Sequence, residues 1–476
     1  MSSESAEGSS DLHQAQGRVP LMANWAPVME LGSGTKYAAV AAAIAKGVDD
    51  GALMPGTRLP PQREIAEYFN VTIATVTKAI DLATRNGLVI ARAGSGTYIN
   101  QKGSQAPFKP THVDLSLNAP PAELTAQLLQ ESLQHTASSA EATSLFDYEP
   151  VPGSANNRAA GCAWMALRDH VVSPEQVLIT HGAHEGLIVS LLALTEPGDS
   201  VLCEELNYAG LRRIGQMLRL KLVGIAVDEE GMVTDQVAGL IAKHRPKVIV
   251  CTPATHNPTS ATLSHQRRLK LIESAKAASV PIIEDDIYGL LAGPESPPLA
   301  ALWPEGVVLV TSLSKTVSAG MRVGYVVAPK TLTLPLRDAM LMLAWTEPSL
   351  QASMAAHLIG SGAAQQCVAI HRAEAQRRID VALRTLGPFM FKPQSPTYHV
   401  WVDTGSTRPD DIAIALYRQG IQVSPGSHFS VDGSLAPMAL RISLGRVPSM
   451  QALESALQTV GRHLRSNRPA GLGNIV

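Results

Sequence analysis

The stretch VVLVTSLSKTVSAGMRVGYVVAP, residues 307–329, carries the features that decide the fold. An apolar run ends at a lysine framed by hydroxyls, and an arginine next to a glycine-bounded turn follows shortly after. A lysine can hold a carbonyl cofactor as a Schiff base, while a nearby arginine neutralises the phosphate of that cofactor. The alternative is a solvated lysine in a loop of serine and glycine, and the rest of the chain has to decide. The residues concerned are Ser312, Ser314, Lys315, Arg322 and Gly324.

Apolar runs alternate with helical stretches before this segment, which is typical of buried parallel strands joined by helices. The runs are VLIT (177–180), SVLCEE (200–205), KVIVCT (247–252) and VPIIEDD (280–286). Near residue 345 a long helical stretch begins, and strands return at YHVWVD (398–403) and LRISLG (440–445). The sequence therefore predicts an α/β domain over residues 114–476 with a smaller C-terminal lobe over about 345–476.

Composition bounds the remaining possibilities. The 476 residues carry 39 Lys and Arg against 41 Asp and Glu, so no global basic field indicates nucleic acid or membrane binding. The four cysteines are scattered without CxxC spacing, which predicts neither a disulfide framework nor a metal site. No uncharged run approaches the roughly 20 apolar residues of a membrane span. We expect a soluble, cytoplasmic protein with a disordered tail over residues 1–30.

Residues 31–100 predict a winged helix-turn-helix, because three short amphipathic helices are followed by a β-hairpin. Thr72 can cap the third helix, and Gly51 and Gly87 follow the first and third. The apolar residues expected to face the core are, in the first helix, Tyr37, Val40, Ile44 and Val48; in the second, which opens at Pro61, Ile65, Ala66 and Phe69; and in the third, Ile73, Val76, Ala79, Ile80 and Ala83. The hairpin strands are expected at 88–90 and 97–99.

The outward face of the third helix presents short hydroxyls and cations, which could meet phosphates and base edges in a major groove. The alternative is a small helical domain with ordinary surface charges. Over residues 61–92, four cations stand against three carboxylates, a surplus of one, so electrostatics favours neither. The cations are Arg63, Lys78, Arg85 and Arg92, and the acidic residues are Glu64, Glu67 and Asp81.

The run LMPGTRLPPQREIAEYFNVTIATVTKAIDLATRNGLVIARAGSGTYI, residues 53–99, closely resembles the DNA-binding domain of GntR-family transcription regulators. The resemblance implies contacts with double-stranded operator DNA. They would come from Arg63, Thr72, Thr75, Lys78, and the wing around Arg92 and Gly96. A polar stretch with two prolines and a glycine then predicts a linker over residues 101–113.

Polar residues follow the apolar runs where the carboxyl ends of strands gather ligands. The turn of residues 181–186 enters a helix whose free N–H groups could receive a phosphate, and Asn257 could bind a ring hydroxyl. A plain Asn-Pro turn is the alternative for Asn257. Asp285 could keep a pyridine nitrogen protonated, with Tyr288 one turn away. Magnesium binding by residues 284–286 is the alternative, although the chain lacks a Walker-type loop.

From about Leu115 onward the chain resembles fold-type I aminotransferases, because six residues occur in the order of their cofactor site. They are Asn257, Asp285, Tyr288, Ser312, Lys315 and Arg322. The resemblance implies pyridoxal 5'-phosphate as cofactor, no metal, and Lys315 as the catalytic lysine that forms the internal aldimine. It further implies that Asp285 pairs with the pyridine nitrogen, and that Asn257 and Tyr288 bind the ring hydroxyl.

The same resemblance implies roles for further residues. Tyr208 would stack on the cofactor ring, unless it is an ordinary packing tyrosine, and Arg441 would bind the carboxylate of the effector or substrate. Tyr148 would reach the phosphate from a neighbouring subunit, which implies a homodimer. The phosphate itself would be held by Ser312, Ser314, Arg322, Ala183 and His184.

Three departures from the family pattern concern the fine geometry of the site and its turnover. His184 stands where a small hydroxyl or amide residue is usual, and the NPTG element ends in Ser260. The segment FDYEPVPGSANNRAAG, residues 146–161, departs from the usual wording.

A GntR-type reader followed by an aminotransferase-like domain resembles the MocR subfamily of bacterial regulators. The resemblance implies a regulator that senses a small amino compound through external aldimine formation at Lys315. A working aminotransferase with an accessory DNA-binding module is the alternative, and a residual or half reaction is compatible with either. A third interpretation, a DNA-binding protein without a cofactor, would require that the polar residues at the strand ends occur together by chance.

Overall fold

The computed structural model describes residues 36–49, 52–54, 56–85, 88–92, 96–99, 113–139, 143–149, 151–293 and 297–466. The chain divides into two compact units, residues 1–109 and 110–476. The predicted tail, Gly51, Gly87 and residues 101–112 of the predicted linker lie outside the described residues. None of the described helices is long and apolar enough to cross a bilayer.

The first unit is the predicted winged helix-turn-helix. Its elements are α1 (Lys36–Asp49), α2 (Gln62–Tyr68), α3 (Ile73–Arg85), β1 (Val89–Arg92) and β2 (Gly96–Ile99). The two strands pair antiparallel. Thr72 caps α3 as expected, because the Thr75 N–H donates to Thr72 Oγ1 at 3.2 Å. Pro61 immediately precedes α2 and does not open it.

The core of the first unit joins all three helices and the hairpin. Its fully buried members include Val40, Ile44, Ile65, Val76 and Val89. Ile73 was expected in this core and is 47% exposed. The prediction was wrong because Ile73 is the first residue of the helix. A helical side chain points toward the N-terminal end of its helix, so the side chain of Ile73 extends past the end of α3 and away from the core.

Replacing Ile65 by alanine is expected to lower the free energy of unfolding of the first unit by about 2–5 kcal/mol, since it deletes a fully buried side chain. Native-state hydrogen exchange of the α1 and α3 amides measures this loss. Ile73→Ala is the matched control, for which we expect a change of about 0.5 kcal/mol. Equal effects of the two substitutions would contradict the packing described here.

The second unit is built on a seven-stranded sheet in the order β4-β12-β11-β10-β9-β5-β6. The strands are β4 (Val177–Thr180), β5 (Ser200–Glu204), β6 (Lys221–Ile225), β9 (Val248–Cys251), β10 (Ile282–Asp285), β11 (Val307–Ser312) and β12 (Gly324–Val327). The predicted apolar runs thus form strands, all parallel. Only β12 runs antiparallel to its two neighbours, because the short return after β11 leaves no room for a crossover helix.

Helices cover this sheet, and a short hairpin, β7 (Val227–Asp228) with β8 (Gly231–Met232), lies beside it. The helices are α4 (Ala126–Ala137), α5 (Ala155–Ala166), α6 (Ala183–Leu194), α7 (Ala209–Met217), α8 (Val237–His244), α9 (His265–Ala277), α10 (Gly289–Ala292), α11 (Leu299–Leu302), α12 (Thr333–Leu343) and α13 (Ser349–Gly360).

A second core forms the smaller lobe. Its elements are β3 (Val113–Asp114), α14 (Ala363–Leu386), β13 (His399–Asp403), α15 (Pro409–Tyr417), β14 (Ile421–Gln422), β15 (Ser424–Pro425), β16 (Ala439–Ser443) and α16 (Met450–Ser466). Strands β13, β16 and β15 form an antiparallel sheet, and β3 pairs with β14.

The smaller lobe differs from the predicted span of about 345–476. Ala352 and Val368 pack in the core of the large sheet, whereas the second core takes α14 from Ile379 onward. Leu115, far upstream, also belongs to it. Helical periodicity marks an apolar face without indicating which of two cores receives it, so the sequence alone does not place this boundary.

Candidate cofactor and effector site

Lys315 follows the C-terminal end of β11. One turn of 3₁₀-helix, Leu313–Lys315, continues from the strand, and the Ser314 N–H donates to Ser312 Oγ at 3.3 Å. Lys315 Nζ donates to the backbone oxygen of Asn118 and lies 5.8 Å from the centre of the Tyr288 ring. Burial, together with the smaller effects of the charges of Arg441 and Arg322, lowers the pKa of Lys315 to about 8, and the charge of Asp285 opposes them.

Asp285 is the last residue of β10, the strand next to β11, and its side chain is buried. Among the described residues, the Ile287 N–H donates a hydrogen bond to its carboxylate at 3.4 Å. Burial raises the pKa of Asp285 to about 7, and the charges of Asp286 and Glu204 raise it as well. A carboxylate held in this way gains from a cationic partner.

Tyr288 and Asn257 complete the middle of the site, together with Arg441. Asn118 Nδ2 donates to Tyr288 Oη at 2.7 Å, and burial raises the pKa of the phenol. Arg441 Nη1 donates to Asn257 Oδ1 at 3.0 Å, and the guanidinium lies 4.7 Å from the centre of the Phe429 ring. Arg441 Nη2 donates to the backbone oxygen of Ser116, and Nε is buried without a hydrogen-bond partner among the described residues.

The turn before α6 brings together donors suited to a phosphate. Gly182, with φ +84°, precedes the helix, and no side chain caps the first N–H groups. Arg322, itself at φ +53°, donates from Nη2 to the His181 backbone oxygen at 3.0 Å. A Cβ at Gly182 would lie 2.9 Å from Arg322 Nη2, and one at Gly324 would lie 2.6 Å from the Gly182 carbonyl carbon. Both glycines are therefore needed for this close approach.

The two residues that depart from the family pattern, His184 and Ser260, have definite places. His184 is exposed and meets the Tyr208 ring edge to face, with centroids 6.0 Å apart. Partial desolvation of the ring lowers the pKa of His184, and the charges of Arg322 and Arg213 lower it as well. Ser260 adopts φ +65° and donates from Oγ to the His399 backbone oxygen at 2.9 Å, so its hydroxyl links the two lobes.

The three acidic residues considered as magnesium ligands have separate partners. Glu284 accepts from the Leu299 and Ala300 N–H groups, both at 2.9 Å. Asp286 pairs with Arg168 at 3.2 Å. Since each carboxylate serves its own contact, the three do not converge on one point, and the described residues contain no cluster of three metal-ligating side chains.

Among the described residues of one chain, no hydrogen bond or ring contact joins Tyr148 to the residues around Lys315. The side chain of Tyr148 is 76% exposed, and Phe146 beside it is 88% exposed. The segment is anchored by Thr346 Oγ1, which donates to the Glu149 backbone oxygen at 2.7 Å.

Sequence reasoning missed the contributions of Ser116, Asn118 and His399. Asn118 Nδ2 lies 3.0 Å from His399 Nδ1, in addition to its bond with Tyr288. His399 Nε2 in turn lies 3.1 Å from the His256 backbone oxygen. These partners are far apart in the chain and follow no motif spacing, so no local signal could have found them.

In the first unit, Arg63 on α2 and Lys78 on α3 are exposed. Thr72 and Thr75 lie at the start of α3, where their hydroxyls are 2.9 Å apart. Arg92 and Gly96 are opposite each other in the hairpin. The structure describes the backbone of Arg85 and Arg92 but not their side chains. A Cβ at Gly96 would lie 2.8 Å from Arg58 Nε, so Arg58, which the sequence did not suggest, crosses the wing at this glycine.

The fold and the site together define a class of protein. Its members have a winged helix-turn-helix followed in the chain by a fold-type I domain with a lysine at the end of a strand. The family described as aminotransferase class I and II matches residues 110–460, and bacterial regulatory proteins of the gntR family match residues 36–99. The chain belongs to the aminotransferase class I and II family, and its gntR module gives it the two-part organisation of MocR-type transcription regulators.

Known proteins are similar to this chain over most of its length. The chain is 26% identical to the uncharacterized HTH-type transcriptional regulator YdeF of Bacillus subtilis, over 93% of this chain and 97% of that protein. It is 26% identical to the HTH-type pyridoxine biosynthesis transcriptional regulator PdxR of Corynebacterium glutamicum, over 81% and 87%. The crystal structure of an archaeal alanine:glyoxylate aminotransferase superposes with a TM-score of 0.70 at 23% identity, over 83% of this chain and 95% of that one.

Family membership makes pyridoxal phosphate the cofactor of the second unit, and the residues present fit it. The cradle at Gly182 and Gly324 would be filled by a Cβ, and Ser314 Oγ is buried without a hydrogen-bond partner among the described residues. A guanidinium, uncapped N–H groups and a hydroxyl suit a phosphate, while the buried Asp285 suits a protonated ring nitrogen.

Proposed function

We propose that this protein binds operator DNA in the bacterial cytoplasm and changes that binding when an amino compound reaches Lys315. The observation that carries the proposal is the union, in one chain, of a DNA-reading module and a site whose half-buried lysine contacts Asn118 and Tyr288 and has a pKa lowered to about 8. A lysine with this pKa is partly neutral at physiological pH, and so it can both hold and release a carbonyl carbon.

Each residue of the site has a proposed part. Pyridoxal phosphate supplies an aldehyde carbon that an amine can hold covalently and a ring that withdraws electrons when its nitrogen is protonated. Lys315 provides the amine, Asp285 keeps the nitrogen protonated, and Asn257 and Tyr288 orient the ring hydroxyl. Tyr208 covers the ring. The phosphate is held by Ala183, His184, Ser312, Ser314 and Arg322.

Arg441 is proposed to select an effector that carries an acidic group as well as an amine. The guanidinium is buried, it has an unpartnered Nε, and its described partners are the neutral oxygens of Asn257 and Ser116. Because no carboxylate of the described residues hydrogen-bonds to it, an anionic group on the effector would meet an uncompensated cation.

A homodimer is proposed because the surface around Tyr148 is apolar and exposed. Phe146 and Tyr148 are exposed, Trp345 is 67% exposed, and hydrogen bonds between Glu149 and Thr346 join the two segments that carry them. Large apolar side chains grouped on one surface mark interfaces. A second copy of the chain covering this surface would bring Tyr148 toward the partner's phosphate, as the family resemblance implies.

The direct test is a panel of amino compounds, with and without a carboxylate, added to the cofactor-loaded protein. Operator affinity and the absorbance of the bound cofactor are measured together. The proposal expects at least one compound to change both signals over the same concentration range. If compounds that react at the cofactor never change operator affinity, the sensing role is wrong.

The acidity of Lys315 predicts a pH profile for cofactor uptake. With a pKa of about 8, the neutral amine is about a tenth of the total at pH 7. The rate of pyridoxal phosphate capture by the cofactor-free protein should therefore rise about tenfold per pH unit and level off above about pH 8. Stopped-flow absorbance measures this rate. The exposed Lys330→Ala should leave the profile unchanged; a rate still rising beyond pH 10 would contradict the lowered pKa.

Lys78 is predicted to contact a DNA phosphate. Lys78→Ala should weaken operator binding similarly for all sequences and reduce the slope of log affinity against log salt by about 1, because one fewer counterion is released. Fluorescence anisotropy at several salt concentrations measures the slope. Lys46→Ala, an exposed lysine on α1, serves as the control. An unchanged slope for Lys78→Ala would place Lys78 away from the DNA backbone.

A second candidate function is a working aminotransferase, favoured by the presence of Lys315 in one site with the buried residues Asp285, Tyr288 and Arg441. Steady-state transfer of an amino group between an amino acid and an oxo acid, at about 1 per second or faster, would support it. Stalling after a half reaction favours the sensor.

A further inference from the structure

Residues 113–119, here called the strap, join the smaller lobe to the cofactor site. At one end, β3 pairs with β14, and the Leu115 N–H donates to the Gln422 backbone oxygen at 2.8 Å. The Ser443 N–H donates to the Leu115 backbone oxygen at 2.7 Å. The strap thus begins as part of the backbone network of the smaller lobe.

The other end of the strap contacts the reactive residues. The Asn118 backbone oxygen accepts a hydrogen bond from Lys315 Nζ, and its amide Nδ2 donates to Tyr288 Oη at 2.7 Å. Two residues earlier, the Ser116 backbone oxygen accepts from Arg441 Nη2. The strap therefore touches the cofactor lysine, the phenol and the effector arginine, which lie on different elements.

We infer that the Asn118 carbonyl accepts a hydrogen bond from Lys315 Nζ once an amino compound has displaced Lys315 from the cofactor. We further infer that making this bond changes the strap, and that the change reaches the linker. The inference rests on the proposed function, because it requires that Lys315 holds the cofactor in the resting protein. In that state Nζ is bound to carbon, and its bond to Asn118 cannot form as described.

The exchange balances in atoms and protons. The incoming amine forms a C=N bond with the aldehyde carbon, while the C=N bond from that carbon to Lys315 Nζ breaks. The two protons of the incoming amine end on Nζ, which becomes a free amine or, with one more proton from solvent, an ammonium. Nζ then has donors that need an acceptor in a mostly buried place, and the Asn118 oxygen is the acceptor in contact with it.

The strap is placed to pass on the change. Val113 is the last residue of the stretch predicted as the linker and the first residue of the strap, so the strap follows the predicted linker directly in the chain. Its far end is closely packed, because a Cβ at Gly445 would lie 2.0 Å from the Ala119 backbone oxygen. A segment fixed by contacts on several sides responds as a unit when one strong contact is made or lost.

The cofactor-free protein tests the contact itself. Lys315→Met keeps the size of the side chain and removes the donor, so amide exchange in peptides covering residues 113–119 should become about tenfold faster than in the unsubstituted protein. Lys330→Met, at an exposed position, should leave it unchanged. Equal exchange in the Lys315→Met and unsubstituted proteins would overturn the inference.

The cofactor-loaded protein tests the exchange, with methoxyamine as the probe because it displaces the lysine without offering a carboxylate to Arg441. Methoxyamine should shift the cofactor absorbance and slow strap exchange by about tenfold, to the level of the cofactor-free protein. An absorbance shift with unchanged strap exchange overturns the inference and leaves the proposed function standing. Absence of any absorbance shift overturns the proposed role of Lys315, and the inference with it.

Discussion

Lys315→Ala is expected to abolish both the absorbance band of the lysine-bound cofactor and the response of operator binding to amino compounds. Arg322 and Arg441 cannot take over, since a guanidinium stays protonated and does not attack a carbonyl. Absorbance titration with pyridoxal phosphate and operator anisotropy with the active compound measure the two losses. Lys330→Ala, exposed in the same unit, is the control expected to behave as the unsubstituted protein.

Folding and assembly should survive Lys315→Ala. The pKa of Lys315 is lowered to about 8, so its charged form is less favourable in the folded than in the unfolded protein at every pH below about 8. Removing the amine relieves this cost at neutral pH, which offsets the lost bond to Asn118. A variant that still responds to the compound would sink the proposed mechanism, and a variant that fails to fold would show that Lys315 is structurally required.

Sequence reasoning reached the parts of the site that sit at strand ends. Asp285 and Lys315 each follow a run of buried apolar residues, and adjacent strands bring them together because their carboxyl ends share one edge of the sheet. Predicting the strands was therefore enough to predict that these two site residues lie near each other. The roles of these residues stay predictions until the variants are measured.

The strap could not be predicted in the same way. Asn118 is nearly two hundred positions from Lys315, and its principal contact is made by a backbone oxygen, which any residue type supplies. The same limit applies to Ile73, whose apolar character fits the helical stripe although its position at the helix start leaves it exposed. Residue type and spacing predict elements, whereas contacts between distant elements depend on the assembled fold.

Asp285→Asn is expected to stabilise the cofactor-free protein and to weaken its binding of pyridoxal phosphate. Burial raises the pKa of Asp285 from 3.8 to about 7, so in the cofactor-free protein this carboxyl group costs stability as the pH rises from about 4 through 7. The neutral amide avoids that cost. The cofactor-free variant should therefore be more stable at pH 8, by up to about 4 kcal/mol, and similar to the unsubstituted protein at pH 4.

With pyridoxal phosphate bound, the same carboxylate faces a ring nitrogen that it keeps protonated. Removing one partner of a buried ion pair costs about 3–5 kcal/mol, so Asp285→Asn should weaken cofactor binding by at least about a hundredfold. Thermal unfolding with and without cofactor, and absorbance titration, measure the two effects. Asp338→Asn, exposed on α12, is the control that should change neither. If Asp285→Asn lowered the stability of the cofactor-free protein at pH 8, Asp285 would be a structural residue and would not be the partner of the cofactor nitrogen. A gain in stability together with a loss of cofactor affinity instead means that the fold bears the cost of a buried carboxylate because the cofactor needs it.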